Sequence, residues 1–173
     1  MVARCMCSVA AGMLAAAAHA QPATPSLNEV VAVNGFVNCL SWTRGGVEIA
    51  SLAEEGKLVQ ETAPRELPDL LWSRDFQGGS LILKQHNDGS RACTVIVFGV
   101  APDEFVGAVE SVIRQSETRV LDFEARSEET SGATVTRMYR QKSDQHISMT
   151  VSTNSDGLLD NGPTGILTFY FAD

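Results

Sequence analysis

The sequence predicts an α+β domain in which an antiparallel sheet of five or six strands has helices packed on one face. Three patterns predict it: a helical spacing of apolar residues early in the chain, a hairpin signal in the middle, and period-two alternation near the C-terminus. Short connections between consecutive strands favour antiparallel pairing. The apolar stripe of the central helix also needs a sheet face to pack against.

The first helix is predicted to begin at Ser26, which has the spacing of a capping box with Glu29. Apolar side chains then recur at helical spacing as far as Leu40. A second helix is predicted between Val47 and Gln60, where the capping-box spacing occurs again.

The stretch from Glu61 to Phe76 contains two prolines and is predicted to be irregular chain. Its apolar end is expected to pack back onto the core. Trp and Arg are favoured at interface hot spots, so four residues here are candidates for contact with a partner or ligand: Leu70, Leu71, Trp72 and Arg74. The alternative is that Trp72 covers the edge of the core.

The middle of the chain gives the clearest local signal. Apolar runs at Leu81–Leu83 and Cys93–Phe98 flank an Asp-Gly turn, which predicts a β-hairpin. Pro102 then begins a helix that extends to Gln115, with acidic residues in its first turn. Further strands are predicted at Leu121–Ala125, Val135–Tyr139, Ile147–Val151 and Ile166–Phe171.

The first twenty residues have the three parts of a secretory signal peptide. Arg4 supplies the positive charge, an alanine-rich apolar run follows, and a small-x-small pattern predicts cleavage between Ala20 and Gln21. The apolar run is shorter than the roughly 20 residues that a membrane anchor needs. The prediction is therefore a periplasmic protein that is soluble after cleavage, with residues 21–173 forming one domain and no stable membrane insertion.

The predicted mature chain is acidic and contains two cysteines. The whole chain has 13 Lys and Arg against 21 Asp and Glu, a net charge of −8, and removal of Arg4 makes it −9. This charge disfavours binding to nucleic acid or to an anionic membrane. In an oxidising compartment the pair Cys39 and Cys93 predicts a disulfide. The alternatives are two buried thiols or one reactive thiol.

No motif in the sequence predicts a cofactor, a metal or a catalytic residue. The segment Asn154-x-Asp156-Gly157 matches part of a calcium loop but lacks the carboxylates at its first and last positions. Two histidines in the mature chain, His86 and His146, are too few for a zinc site without other ligands.

The function expected from these patterns is non-catalytic binding of an unknown ligand or protein partner. The alternative is a small hydrolase whose catalytic residues are dispersed along the chain. An enzyme should show a deep pocket with convergent polar groups and perturbed pKa values, and a binding module a shallow apolar patch.

The layout resembles small exported proteins of Gram-negative bacteria that have no assigned function. The resemblance lies in the signal peptide, in the helix end Phe36-x-x-Cys39, and in the strand at Cys93 that precedes a helix begun by proline. It implies export but no particular activity or functional residue.

Overall fold

The structure is a computed structural model and describes residues 24–45, 50–51, 58–60, 70–86, 91–115, 121–158 and 161–172. The signal peptide with its cleavage point Ala20–Gln21, and the turn predicted at residues 87–89, lie outside these residues. So does most of the helix predicted between Val47 and Gln60.

The described chain forms one antiparallel sheet with two helices packed on it. Helix α1 is α-helical over Leu27–Val30, π-helical over Val31–Cys39 and α-helical over Leu40–Thr43, and α2 spans Pro102–Gln115. The first four strands are β1 Val59–Gln60, β2 Leu70–Phe76, β3 Gly79–Gln85 and β4 Arg91–Phe98. The second four are β5 Phe123–Ser131, β6 Thr134–Gln141, β7 Ile147–Asn154 and β8 Pro163–Phe171.

The strand order across the sheet is β1-β2-β3-β4-β8-β7-β6-β5. The sheet thus consists of two four-stranded meanders, and they meet where β4 pairs with β8. Helix α1 precedes the first meander, and α2 connects the two. Thr94 of β4 lies opposite Thr168 of β8 at the centre of this pairing.

Helix α1 begins with the predicted capping box. The Glu29 amide donates to Ser26 Oγ at 3.3 Å, and the Ser26 amide donates to Glu29 Oε2 at 2.8 Å. These bonds from Ser26 lower the pKa of the Glu29 carboxyl. The box fixes where the helix starts, as the sequence predicts.

The π-helical part of α1 was not predicted, and it places polar side chains against the sheet. Asn34 Nδ2 donates to the Val30 carbonyl at 3.0 Å, and Asn38 Nδ2 donates to Asn34 Oδ1 at 3.2 Å. Both amides are buried and are satisfied within the helix. Gly35 lets the helix approach the sheet closely, because a Cβ there would lie 2.7 Å from Leu167 Cδ2.

The core lies between the helices and one face of the sheet. Phe36 of α1 packs edge-on against Phe169 of β8, with ring centroids 5.4 Å apart. The ring of Phe105 from α2 lies where a Cβ at Gly165 would be, so this glycine allows α2 to pack directly on β8. The alternating residues of the central strands complete the buried layer: Val95, Val97, Met149, Val151 and Leu167.

Several predicted elements are confirmed. The hairpin of β3 and β4 is antiparallel and pairs Leu83 with Val95, and α2 has the predicted bounds. A tight loop joins β5 to β6, where Gly132 has a φ of 59°, as the first residue of a type II′ turn requires.

The predicted number of strands is wrong, because the sheet has eight strands rather than five or six. Val59–Gln60 is strand β1 rather than the end of a helix, and Leu70–Phe76 is strand β2 rather than irregular chain. In β2, the residues Trp72 and Phe76 alternate with polar neighbours and reach the core. The alternating burial of its side chains favours a strand, and the two prolines do not prevent it because both precede the strand.

Candidate functional site

A groove runs along the flank of α2, on the face of the sheet that the helices cover. Helix α2 packs on β7 and β8, so β5 and β6 extend beyond its edge. Two adjoining cavities of about 340 and 330 Å³ form the groove and share Glu110 and Arg137 in their walls. We call this the flank groove. Its helix side includes Val106 and Gly107, and its strand side includes Tyr139.

The sequence of each element explains which side chains line the groove. In α2 the buried face is made by Phe105, Ala108 and Val109, so Glu110 falls on the neighbouring flank. In β6 the side chains of Arg137 and Tyr139 point to the helix-covered face, because they lie opposite Val151 and Met149 of β7. Helix and strand thus bring a carboxylate, a guanidinium and a phenol to one groove.

Arg137 is held in place by an ion pair across the β5–β6 hairpin. Its Nε donates to Glu128 Oε2 at 2.6 Å. This hydrogen bond is the main reason why the pKa of Arg137 is raised, and the carboxylate of Glu110 adds to the effect. The guanidinium is therefore a fixed cation, and one of its donors is already occupied.

Tyr139 is the most buried polar residue of the groove, with 6% of its surface exposed. Burial raises the pKa of its phenol, and the carboxylates of Glu110 and Glu128 raise it further. At neutral pH the side chain is an uncharged phenol that can both donate and accept a hydrogen bond.

The hydroxyl group of Tyr139 has no hydrogen-bond partner among the described residues. Every fully buried side-chain nitrogen or oxygen atom in the described chain has a hydrogen-bond partner. The Tyr139 oxygen has none, so it must be accessible to solvent. The hydroxyl therefore opens into the groove, of which Tyr139 forms part of the wall. A buried tyrosine usually bonds its hydroxyl within the protein, whereas this one is available to water or to a ligand in the groove.

The chemistry available in the flank groove is hydrogen bonding and ion pairing. Its described lining contains carboxylates, guanidinium groups, one phenol and the hydroxyl groups of Ser127 and Thr153, and no histidine or cysteine. Among the described residues, neither hydroxyl group is hydrogen-bonded to a carboxylate of the groove.

A third cavity, of about 360 Å³, lies at the end of the sheet near the turn between β2 and β3. Its wall is mostly main chain, from glycines such as Gly79 and Gly157 that pack against carbonyl groups. A Cβ at either glycine would overlap a neighbouring carbonyl oxygen, so close packing of turns explains the glycines. Among the described residues of its wall, Asp75 is the one with an ionisable side chain.

The sheet face opposite the helices carries a short hydrogen-bonded chain. His86 Nε2 lies 3.0 Å from Thr94 Oγ1, which lies 3.0 Å from Thr168 Oγ1. A histidine beside a hydroxyl could be a base beside a nucleophile. Thr94, however, is only 6% exposed, and its hydroxyl contacts groups on both sides. The contact therefore serves to join strands β4 and β8.

Cys39 and Cys93, the predicted pair, form a disulfide. Their Cα atoms lie 5.3 Å apart, and both residues are fully buried. The bond joins the last π-helical residue of α1 to the middle of the sheet. Neither sulfur is a free thiol, so a reactive thiol at these positions is ruled out.

The four residues predicted to contact a partner lie on strand β2, and they do not share one surface. Trp72 is a core residue with 3% exposure, and the half-buried Arg74 points to the same face. Leu71 is half-buried and points to the opposite face, and the side chain of Leu70 lies outside what the structure describes. Contact between this strand and a partner stays a prediction.

The residues of the flank groove were not predicted as a site. Glu110, Arg137 and Tyr139 come from elements that are separated along the chain, and none belongs to a motif. One signal was available in the sequence. Thr134–Gln141 is mostly polar, and Arg137 and Tyr139 are two residues apart, which places them on the same face of a strand.

Comparisons with known proteins assign no family to this chain. No protein-family model matches it, and no curated protein matches it significantly.

In the described part of the chain, no three His, Cys, Asp or Glu side chains cluster in a way that could hold a metal ion. None of the helices described is long and apolar enough to span a membrane.

Proposed function

We propose that this chain is a small exported protein of the periplasm that binds a ligand without catalysis, and that the flank groove is its binding site. The observation that carries the proposal is the hydroxyl of Tyr139, which is held by a buried side chain and opens into the groove without a partner. The signal-peptide pattern and the disulfide between Cys39 and Cys93 support export.

The groove has the dimensions and the lining of a site for a small molecule or for one side chain of a larger partner. Each half is at the lower end of the roughly 300–1,000 Å³ typical of ligand pockets. Apolar walls from Val106 and Val135 accompany a few polar groups that can fix the orientation of a ligand.

Gly107 allows a direct test, because a Cβ at this position would meet nothing within 4 Å. A leucine there would project into the groove without displacing a core residue. Gly107→Ala is the matched control, since it adds one methyl group and should stabilise the helix by about 1 kcal/mol. Tyr139→Phe is a second variant, which keeps the ring and removes only the hydroxyl.

The experiment uses protein recovered from the periplasm and incubated with periplasmic extract. Native mass spectrometry would detect a bound ligand, and amide hydrogen exchange would show whether β6 is protected. We expect ligand and protection in the wild type and in Gly107→Ala, and loss of both in Gly107→Leu. Equal binding by Gly107→Leu would refute the groove as the site.

The export part of the proposal has its own test. The mass and N-terminal sequence of the periplasmic protein should show that it begins at Gln21. Recovery of a chain that still begins at Met1 would refute cleavage.

A further inference from the structure

The charges of the flank groove favour a cation. Three carboxylates line it, from Asp103, Glu110 and Glu128. Its two guanidinium groups are both engaged by carboxylates: Arg137 by Glu128, and Arg126 by Glu124. Glu124 lies outside the groove, so the lining as a whole has three negative and two positive charges. The half that contains Tyr139 has two of each, and Asp103 lines only the other half. The net charge of −8 for the whole chain acts in the same direction.

An anionic ligand would be poorly placed in this groove. Arg137 lines the same half of the groove as the phenol, and its Nε–H is already donated to Glu128. An anion bound there would also face the carboxylate of Glu110, at the junction of the two halves of the groove. Like charges at such distances disfavour binding.

Asp103 and Glu110 are the carboxylates on the helix side. Asp103 makes no ion pair with any described residue, and Glu110 pairs only with Arg114 on the outer side of the helix, at 3.0 Å. That pair is largely exposed to solvent, so it contributes little and can yield to a ligand. Both carboxylates can therefore accept hydrogen bonds from a bound cation.

We propose that the flank groove binds a primary ammonium group at the end of an unbranched alkyl chain. This rests on the proposed function of the same groove. An ammonium group has three donors and no acceptor, and it meets three acceptors here: the Tyr139 hydroxyl and the carboxylates of Glu110 and Glu128. The alkyl chain lies along Val106 and Val135, where Gly107 leaves space.

Two sources can present this chemistry, a free diamine and the lysine side chain of a protein. The probes are therefore 1,4-diaminobutane and a short peptide with one internal lysine and blocked ends. The control is 1,4-butanediol, which has the same length and can donate hydrogen bonds but has no charge. Binding is measured by amide chemical shifts of the oxidised protein at low salt, because a half-exposed charge pair weakens as salt is added.

We expect both ammonium probes to shift the amides of β6 and of residues 106–110, and the diol to bind at least tenfold more weakly. Glu110→Gln should weaken the diamine about tenfold, whereas Glu129→Gln, which removes an exposed carboxylate of β5 outside the groove, should bind it as the wild type does. Tighter binding of the peptide than of the diamine would identify a lysine side chain as the occupant, and the reverse a free amine.

Three results would overturn the proposal, and they are distinguishable. Equal binding of the diol and the diamine would show that the groove binds ligands without selecting a cation, which leaves the proposed function standing. Diamine binding that Gly107→Leu leaves unchanged would place the ammonium outside the groove. Failure of both ammonium probes to shift the groove amides at 10 mM, about the weakest binding we would count as specific, would also refute it.

Discussion

Removal of the disulfide should cost this protein a large part of its stability. The bond between Cys39 and Cys93 closes a loop with a sequence separation of 54 residues. For a loop of this length the chain-entropy model gives about 14 cal/mol/K, or about 4 kcal/mol at 25 °C. Small domains are stable by only about 5–15 kcal/mol in total, so the loss is severe.

The best variant is the double substitution Cys39→Ala/Cys93→Ala, because both sites are fully buried and a serine would add the cost of a buried hydroxyl. Urea unfolding should show a stability lower by about 4 kcal/mol than that of the oxidised wild type. The urea dependence should become steeper, since the unfolded chain is no longer cross-linked and exposes more surface.

Two measurements could refute this reasoning. A loss of less than about 1 kcal/mol in the double variant would contradict the entropic argument, because disulfides of this loop length typically contribute 2–4 kcal/mol. Alkylation of two thiols in unfolded, non-reduced protein from the periplasm would show that the bond does not form there.

Three further predictions concern the core and the groove. Gly165→Ala should lose about 1–3 kcal/mol in thermal or urea unfolding, because the new Cβ overlaps the buried Phe105 ring; an unchanged midpoint would contradict this packing. Trp72→Ala should lose about 3–5 kcal/mol by the same assay, and a loss near zero would show that Trp72 is not a core residue. Folding raises the pKa of Tyr139. The stability contributed by its neutral phenol is complete below about pH 10, the pKa of tyrosine in the unfolded chain, and is lost as the pH rises through the higher pKa of the folded state. Tyr139→Phe should therefore unfold less readily than the wild type at alkaline pH, and identical alkaline unfolding curves would count against the raised pKa.

The parts of the fold that the sequence predicts are those with one dominant local pattern. Helix α2 has a proline at its start and an apolar stripe, and β7 alternates without interruption from Ile147 to Asn154. Strand β2 was missed because Leu70 and Leu71 are adjacent apolar residues after two prolines, which hides the alternation that follows. Strand β1 has only two residues, too few for any periodicity.

The flank groove could not be predicted, because it depends on tertiary placement. Glu110 belongs to the groove only because α2 lies over β7 and β8, with its flank beside β6. The pairing of Arg137 with Glu128 follows from the register of the hairpin, and a bulge between Ala125 and Ser127 shifts that register by one residue. The sequence alone shows neither the bulge in β5 nor the position of α2 on the sheet.

The single pairing between the two meanders has a consequence for the order in which the protein assembles. Thr94 and Thr168, which meet across it, are 74 residues apart in sequence, whereas most other neighbouring strands are joined by short hairpins. Local hairpins should form first, and closure of β4 onto β8 should limit the folding rate. Until then both strands are apolar, unpaired edges that can join other chains. Both cysteines precede α2, so oxidation can fix α1 on the first meander before the second meander has formed. The edge of β4 then stays exposed until β8 pairs with it.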